Sequence, residues 1–141
     1  MIAIIVTLSV VLIAALGFHA YKRVLQLREK RMTDNEYNTA VTLWKYSTLL
    51  RTELDHALGQ SQGVLDYSKI TLPHSSGYKV SLELEGYSFR VKGIPEQYNM
   101  SGRLSFYVDN SLIVRGGDHE GDFATPMDDE YAGTNLAPTK P

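Results

Sequence analysis

The chain has 141 residues, with 14 Lys+Arg against 16 Asp+Glu for a formal net charge of −2, and no cysteine. The missing cysteines exclude disulfides, thiolate zinc sites, iron–sulfur clusters and covalently attached haem, and the lack of a basic excess argues against a nucleic-acid partner. Hydrophobic residues make up 43% of the chain and crowd its first stretch.

Met1 to Phe18 carries no ionisable side chain, and only Thr7 and Ser9 interrupt it with polar groups. As a helix, residues 1–21 would rise about 1.5 Å each, roughly 30 Å in all, which matches the hydrocarbon core of a bilayer. A cleaved secretory signal ending near Ala15-Leu16-Gly17 is the competing reading. Such a signal wants a basic stretch ahead of the apolar run, so a retained membrane anchor is expected. The small residues Ala3, Ser9, Ala14, Ala15 and Gly17 mark where another helix can approach closely. His19, Tyr21, Lys22 and Arg23 are expected at the membrane interface. Residues 22–32 form a basic neck, with Lys22, Arg23, Arg28, Lys30 and Arg31 against Glu29 alone. The positive-inside rule places that neck in the cytoplasm. Anionic headgroups or acidic groups on a partner helix are the alternative company for it.

Thr33-Asp34-Asn35-Glu36 has the form of a capping box, which predicts a helix start or a break at this point. Ala40, Leu43, Ser47, Leu50, Leu54, Ala57 and Leu58 then recur at helical spacing, with Tyr37, Val41 and Trp44 widening the stripe. Gly59 is the expected stop, with Gly63 as a second candidate. Beyond it the period falls to two. Tyr78, Val80, Leu82 and Leu84, then Tyr87, Phe89 and Val91, predict a hairpin about Glu85-Gly86. Leu104, Phe106 and Val108 give a third strand, Asp109-Asn110-Ser111 a turn, and Leu112 to Arg115 a fourth strand. Four short antiparallel strands need a cover for their apolar face, and the striped helix supplies it. The expected fold class is therefore α+β, with a domain over 33–123 and an acidic tail over 124–141 that contains Pro126, Pro138 and Pro141.

The order of an apolar helix, an amphipathic continuation and a small antiparallel sheet resembles type IV pilins and the pseudopilins of type II secretion. The C-terminal half carries more of the likeness: Gly77-Tyr78 opening a strand, Gly86-Tyr87-Ser88-Phe89, Ile94-Pro95, Ser101-Gly102-Arg103 and Ser105-Phe106-Tyr107-Val108-Asp109. Ile113-Val114-Arg115, Gly121, Ala124-Thr125 and Asp128-Asp129 extend it, so that it covers roughly residues 36–131. The N-terminal processing motif of that family is not matched: Ile5 stands where a Glu is usual, and Gly17-Phe18 lies at the far end of the apolar run. What the resemblance implies is a pilin-like fold whose globular part lies outside the cytoplasmic membrane.

Among groups with chemistry, Asp118, Glu120 and Asp122 in the loop Asp118-His119-Glu120-Gly121-Asp122 are the candidate oxygen ligands for Ca²⁺, although their spacing is not that of an EF-hand. His19, His56, His74 and His119 are scattered too widely for a zinc or di-iron centre within one chain. No nucleophile elbow or phosphate loop is present, so no catalytic residue and no organic cofactor is expected. The expected function is non-catalytic: a single-pass protein of a bacterial inner membrane, with membrane lipid and other protein subunits as partners. Those subunits are copies of itself in a filament, or unlike chains of an energy-transducing, secretion or transport complex that it serves as an accessory.

Overall fold

The computed structural model describes residues 14–59 and 70–131 in full and, over 2–13, the helical backbone alone. One helix, α1, covers Ile2–Gly59, and four strands follow: β1 (Tyr78–Glu85), β2 (Ser88–Pro95), β3 (Leu104–Asp109) and β4 (Arg115–Asp118). The chain divides into two compact units, Met1–Arg31 and Met32–Pro141. No Gly or Pro lies between Phe18 and Leu58, so nothing in that stretch interrupts the backbone hydrogen-bond ladder. The capping-box expectation is corrected here, because α1 runs through Thr33–Glu36 without a start or a break. The Glu36 carboxylate is engaged elsewhere and does not cap.

In the second unit α1 packs against a four-stranded antiparallel sheet of order β1-β2-β3-β4. The pairing aligns apolar positions in rows across the strands. Leu82 faces Val91, which faces Val108, while Val80, Gly93, Phe106 and Gly116 form the next row. These rows meet Ala40, Leu43, Leu50 and Leu54 of the helix, and Phe89, Phe106, Val91 and Val108 are fully buried between the layers. A Cβ on Gly93 would sit 3.1 Å from Leu43 Cδ1 and 3.3 Å from Thr39 Cγ2, so this glycine lets the helix settle close to β2. The opposite face is charged: Glu83 pairs with Lys92 at 2.6 Å and with Arg90 at 3.7 Å.

Three expectations shift in register. Leu58 and Tyr37, read as part of the stripe, are 55% and 45% exposed, whereas Met32 and Thr39, not read as core, are buried. The fourth strand is Arg115–Asp118 and not Leu112 to Arg115. Leu112 takes a positive φ of 59° as the chain leaves the Asp109 turn, where the Ser111 and Leu112 amides donate to Asp109. Pairing resumes only after that kink. Residues 128–131, which the sequence places in the tail, lie along β4: Gly116 N–H donates to Asp129 O, Tyr131 N–H donates to Val114 O, and the Tyr131 ring meets Phe106 edge-on at 5.1 Å.

Among the described residues no helix is long and apolar enough to cross a membrane. The greater part of the apolar run, 1–13, lies outside that statement, as do Gly63, Pro138 and Pro141.

Candidate functional site

Two surfaces gather the residues singled out above. The first is the leading segment of α1. Ala3 and Ser9 lie outside the residues whose side chains are described. Ala14, Ala15, Gly17, His19, Tyr21, Lys22 and Arg23 are all exposed on the helix surface. Residues three and four apart share a helix face, and here the two kinds of side chain separate. His19, Lys22, Arg23 and Gln26, with Ala20 at their border, line one open depression. Gly17, Ala20, Val24 and Leu27 recur at the spacing of an apolar face. Val24 and Leu27 are 62% and 60% exposed, more than an apolar stripe of this length shows when it is covered. Lys22 Nζ stands 4.8 Å from the centroid of the Phe18 ring, an arrangement that holds the ammonium beside an aromatic face.

The second surface is built where loops meet the start of the domain. Glu36 Oε1 accepts from the backbone N–H of Arg103 (2.7 Å) and of Leu104 (3.2 Å), Asn35 Nδ2 donates to Ser101 O at 2.8 Å, and the buried hydroxyls of Thr39 and Ser75 lie 2.6 Å apart. This polar seam ties one turn of α1 to the segments that flank β1 and β3. The sequence offered Glu36 as a cap because nothing local distinguishes an N3 glutamate from one that reaches across 67 residues. Buried Tyr78 sits next to the seam and donates through its hydroxyl to Leu104 O at 2.8 Å. Burial pushes its phenol well above the ordinary range, and the nearby Glu36 charge and Tyr131 add to that.

Of the three candidate Ca²⁺ ligands, Asp118 ends β4, and Glu120 (φ +55°) and Gly121 (φ +95°) turn the chain before Asp122. Asp118 already accepts from Tyr98 Oη and from the Glu120 amide, at 3.2 and 3.1 Å. Among the described residues no group of three His, Asp or Glu is placed to hold a metal ion. The loop is closed by Asp128, which the sequence offered only as part of the resemblance and of the acidic end. Asp128 Oδ2 lies 2.9 Å from His119 Nε2 and accepts from the Thr125 N–H at 2.5 Å, while Arg115 Nη1 donates to Asp128 O at 3.0 Å. Burial by itself would raise the Asp128 carboxyl, but the Thr125 amide and His119 outweigh it and hold the group below the usual aspartate value.

That direction fixes a pH dependence. A carboxyl depressed in the folded state stabilises the fold above its unfolded value, about 3.9, and loses the contribution as pH falls through the lower folded value. Contacts of the 119–131 loop are therefore expected to persist from neutrality down to about pH 4 and to weaken below it. Amide exchange at Gly116 and Tyr131 followed against pH reads this, and Asp128→Asn should remove the acid step. A step that survives the substitution would assign it to another group.

Compared with known protein families, curated proteins and solved structures, the chain matches none of them.

Proposed function

We propose that the chain is a non-catalytic, membrane-anchored structural protein of the type IV pilin or pseudopilin kind, which works through contacts between protein subunits. Its place in this reading is a bacterial inner membrane, crossed once by the apolar start of α1, with the globular part on the outer side. The observation that carries the reading is the leading segment of α1, where Val24 and Leu27 lie bare on a helix that continues an uncharged run. A helix with such a stripe gains by burying it against a like surface, and small residues at Ala14 and Gly17 let two backbones approach. The α+β arrangement of a long N-terminal helix packed on a four-stranded antiparallel sheet is consistent with this kind of protein.

Replacing Ala14 and Gly17 together with leucine is expected to weaken assembly by about five- to 150-fold in affinity, seen as smaller species on a native gel, in line with about 1–3 kcal/mol for overpacking of a close contact. Complex size unchanged by the double substitution argues against the reading. A second reading, an accessory single-pass subunit of an energy-transducing, secretion or transport complex with a pilin-like domain, is supported by the basic neck, where Lys22, Arg23, Arg28, Lys30 and Arg31 face Glu29 alone.

A further inference from the structure

Over residues 14–27 the two faces of α1 differ in chemistry as well as in hydropathy, while Arg28 and Arg31 continue the line of Val24 and Leu27 beyond them. We infer that the face bearing His19, Lys22, Arg23, Gln26 and Lys30 is a docking surface for anionic lipid headgroups, holding the chain where α1 leaves the bilayer. The inference rests on the membrane-anchored reading above and adds the lipid class and the residues that meet it.

Three observations converge on it. The first is position: the stripe begins directly after the uncharged run Met1 to Phe18, so a helix that buries this run sets the stripe at headgroup level. The second is charge. Residues 22–31 hold Lys22, Arg23, Arg28, Lys30 and Arg31 with Glu29 alone in opposition, although the whole chain is net negative, and Lys22, Arg23 and Lys30 of these lie on the polar face. Each Lys or Arg near an anionic surface adds to the attraction, and the effect dies away within a Debye length. The third is arrangement. His19, Lys22, Arg23 and Gln26 border one open depression, and Lys30 follows Gln26 by one further turn, so donors line one side of the helix. Phe18 and Tyr21 place aromatic rings beside this stripe, as expected at the boundary between tails and headgroups, with the Lys22 ammonium over Phe18. An acidic surface on a second copy is the competing occupant. Continuity with the uncharged run, which leaves Lys22 and Arg23 four and five residues beyond Phe18, favours the lipid.

The test uses the full chain, transferred from mild detergent to vesicles of phosphatidylcholine with or without phosphatidylglycerol, and reads co-flotation. Offered neutral and anionic vesicles together at distinct densities, the wild-type chain should float with both and distribute about tenfold in favour of the anionic ones at low salt, and the difference should shrink in high salt. Lys22→Gln/Arg23→Gln/Lys30→Gln should still float with neutral vesicles, keep its helical circular dichroism and lose most of the preference. These side chains are all exposed, so the domain has no reason to unfold. Equal flotation of the wild type with both vesicles overturns the inference while leaving the membrane reading intact. Flotation with neither overturns both. A preference kept by the triple variant, or a triple variant that loses only self-association, overturns the assignment of the stripe to lipid.

Discussion

Gly102→Ala is expected to destabilise the domain by about 3 kcal/mol, the sum of an overpacked core position and a displaced buried hydrogen bond. A Cβ at Gly102 would fall on the Tyr78 hydroxyl and within 2.7 Å of Cζ and 2.9 Å of Cε2 of the same ring. Tyr78 cannot swing away cheaply. It is buried, its ring lies 5.8 Å from that of Phe106, and its hydroxyl donates to Leu104 O, so yielding would uncouple β1 from the segment that opens β3. For a domain of this size the loss corresponds to a fall in Tm of roughly 10–20 °C. Tyr78→Phe removes the atom that collides first, so the double variant should recover part of the loss. Strict additivity of the two changes would show that Gly102 and Tyr78 do not act on each other.

Phe106→Ala is expected to cost about 3–5 kcal/mol, as large-to-small changes at well-packed aromatic positions do. Phe106 is fully buried, stands in the row Val80–Gly93–Phe106–Gly116, and touches Tyr78 on one side and Tyr131 on the other. Removing its ring opens the contact between the sheet and the segment returning along β4. Urea unfolding should show a lower midpoint, and amide protection at Tyr131 should fall with it. An unchanged midpoint would mean that the ring is not part of the load between the layers. Assembly through the leading segment of α1 is a separate matter, so a loss of complexes in this variant should follow the loss of folded domain.

The parts of the fold written in periodic patterns were legible before any coordinates. Phe106 and Val108 alternate with Ser105 and Tyr107, and Ala40, Leu43, Leu50 and Leu54 recur at helical spacing; both sets are in the core, although Ser105 and Tyr107 are buried as well and Leu104 only partly so. The sequence was less informative where glycine replaces pattern. Gly116-Gly117 has no alternation to read, yet it forms β4, because a Cβ at Gly116 would stand 3.1 Å from the Phe106 ring and only a bare backbone lies so close. Polar side chains that act at long range were equally hidden. Glu36 and Asp128 look like any helix or turn carboxylates, and what they hold is decided by segments 67 residues away and by a loop closed through His119. Among the candidate Ca²⁺ ligands, Asp118 accepts from a tyrosine hydroxyl and a backbone amide, contacts that the spacing of the carboxylates did not show. On the leading segment, sequence alone located the small and basic residues, while their division into two faces needed the helix itself.

Whether the leading segment of α1 tethers this protein and joins it to its neighbours is decided most directly by extracting the full chain from membranes in mild detergent and measuring the mass and composition of what is recovered. A membrane-fraction particle containing several copies of the chain is the expected result, and unlike chains in fixed ratio would move the assignment to the accessory subunit. A solitary 15.8 kDa polypeptide found in the aqueous fraction would contradict both.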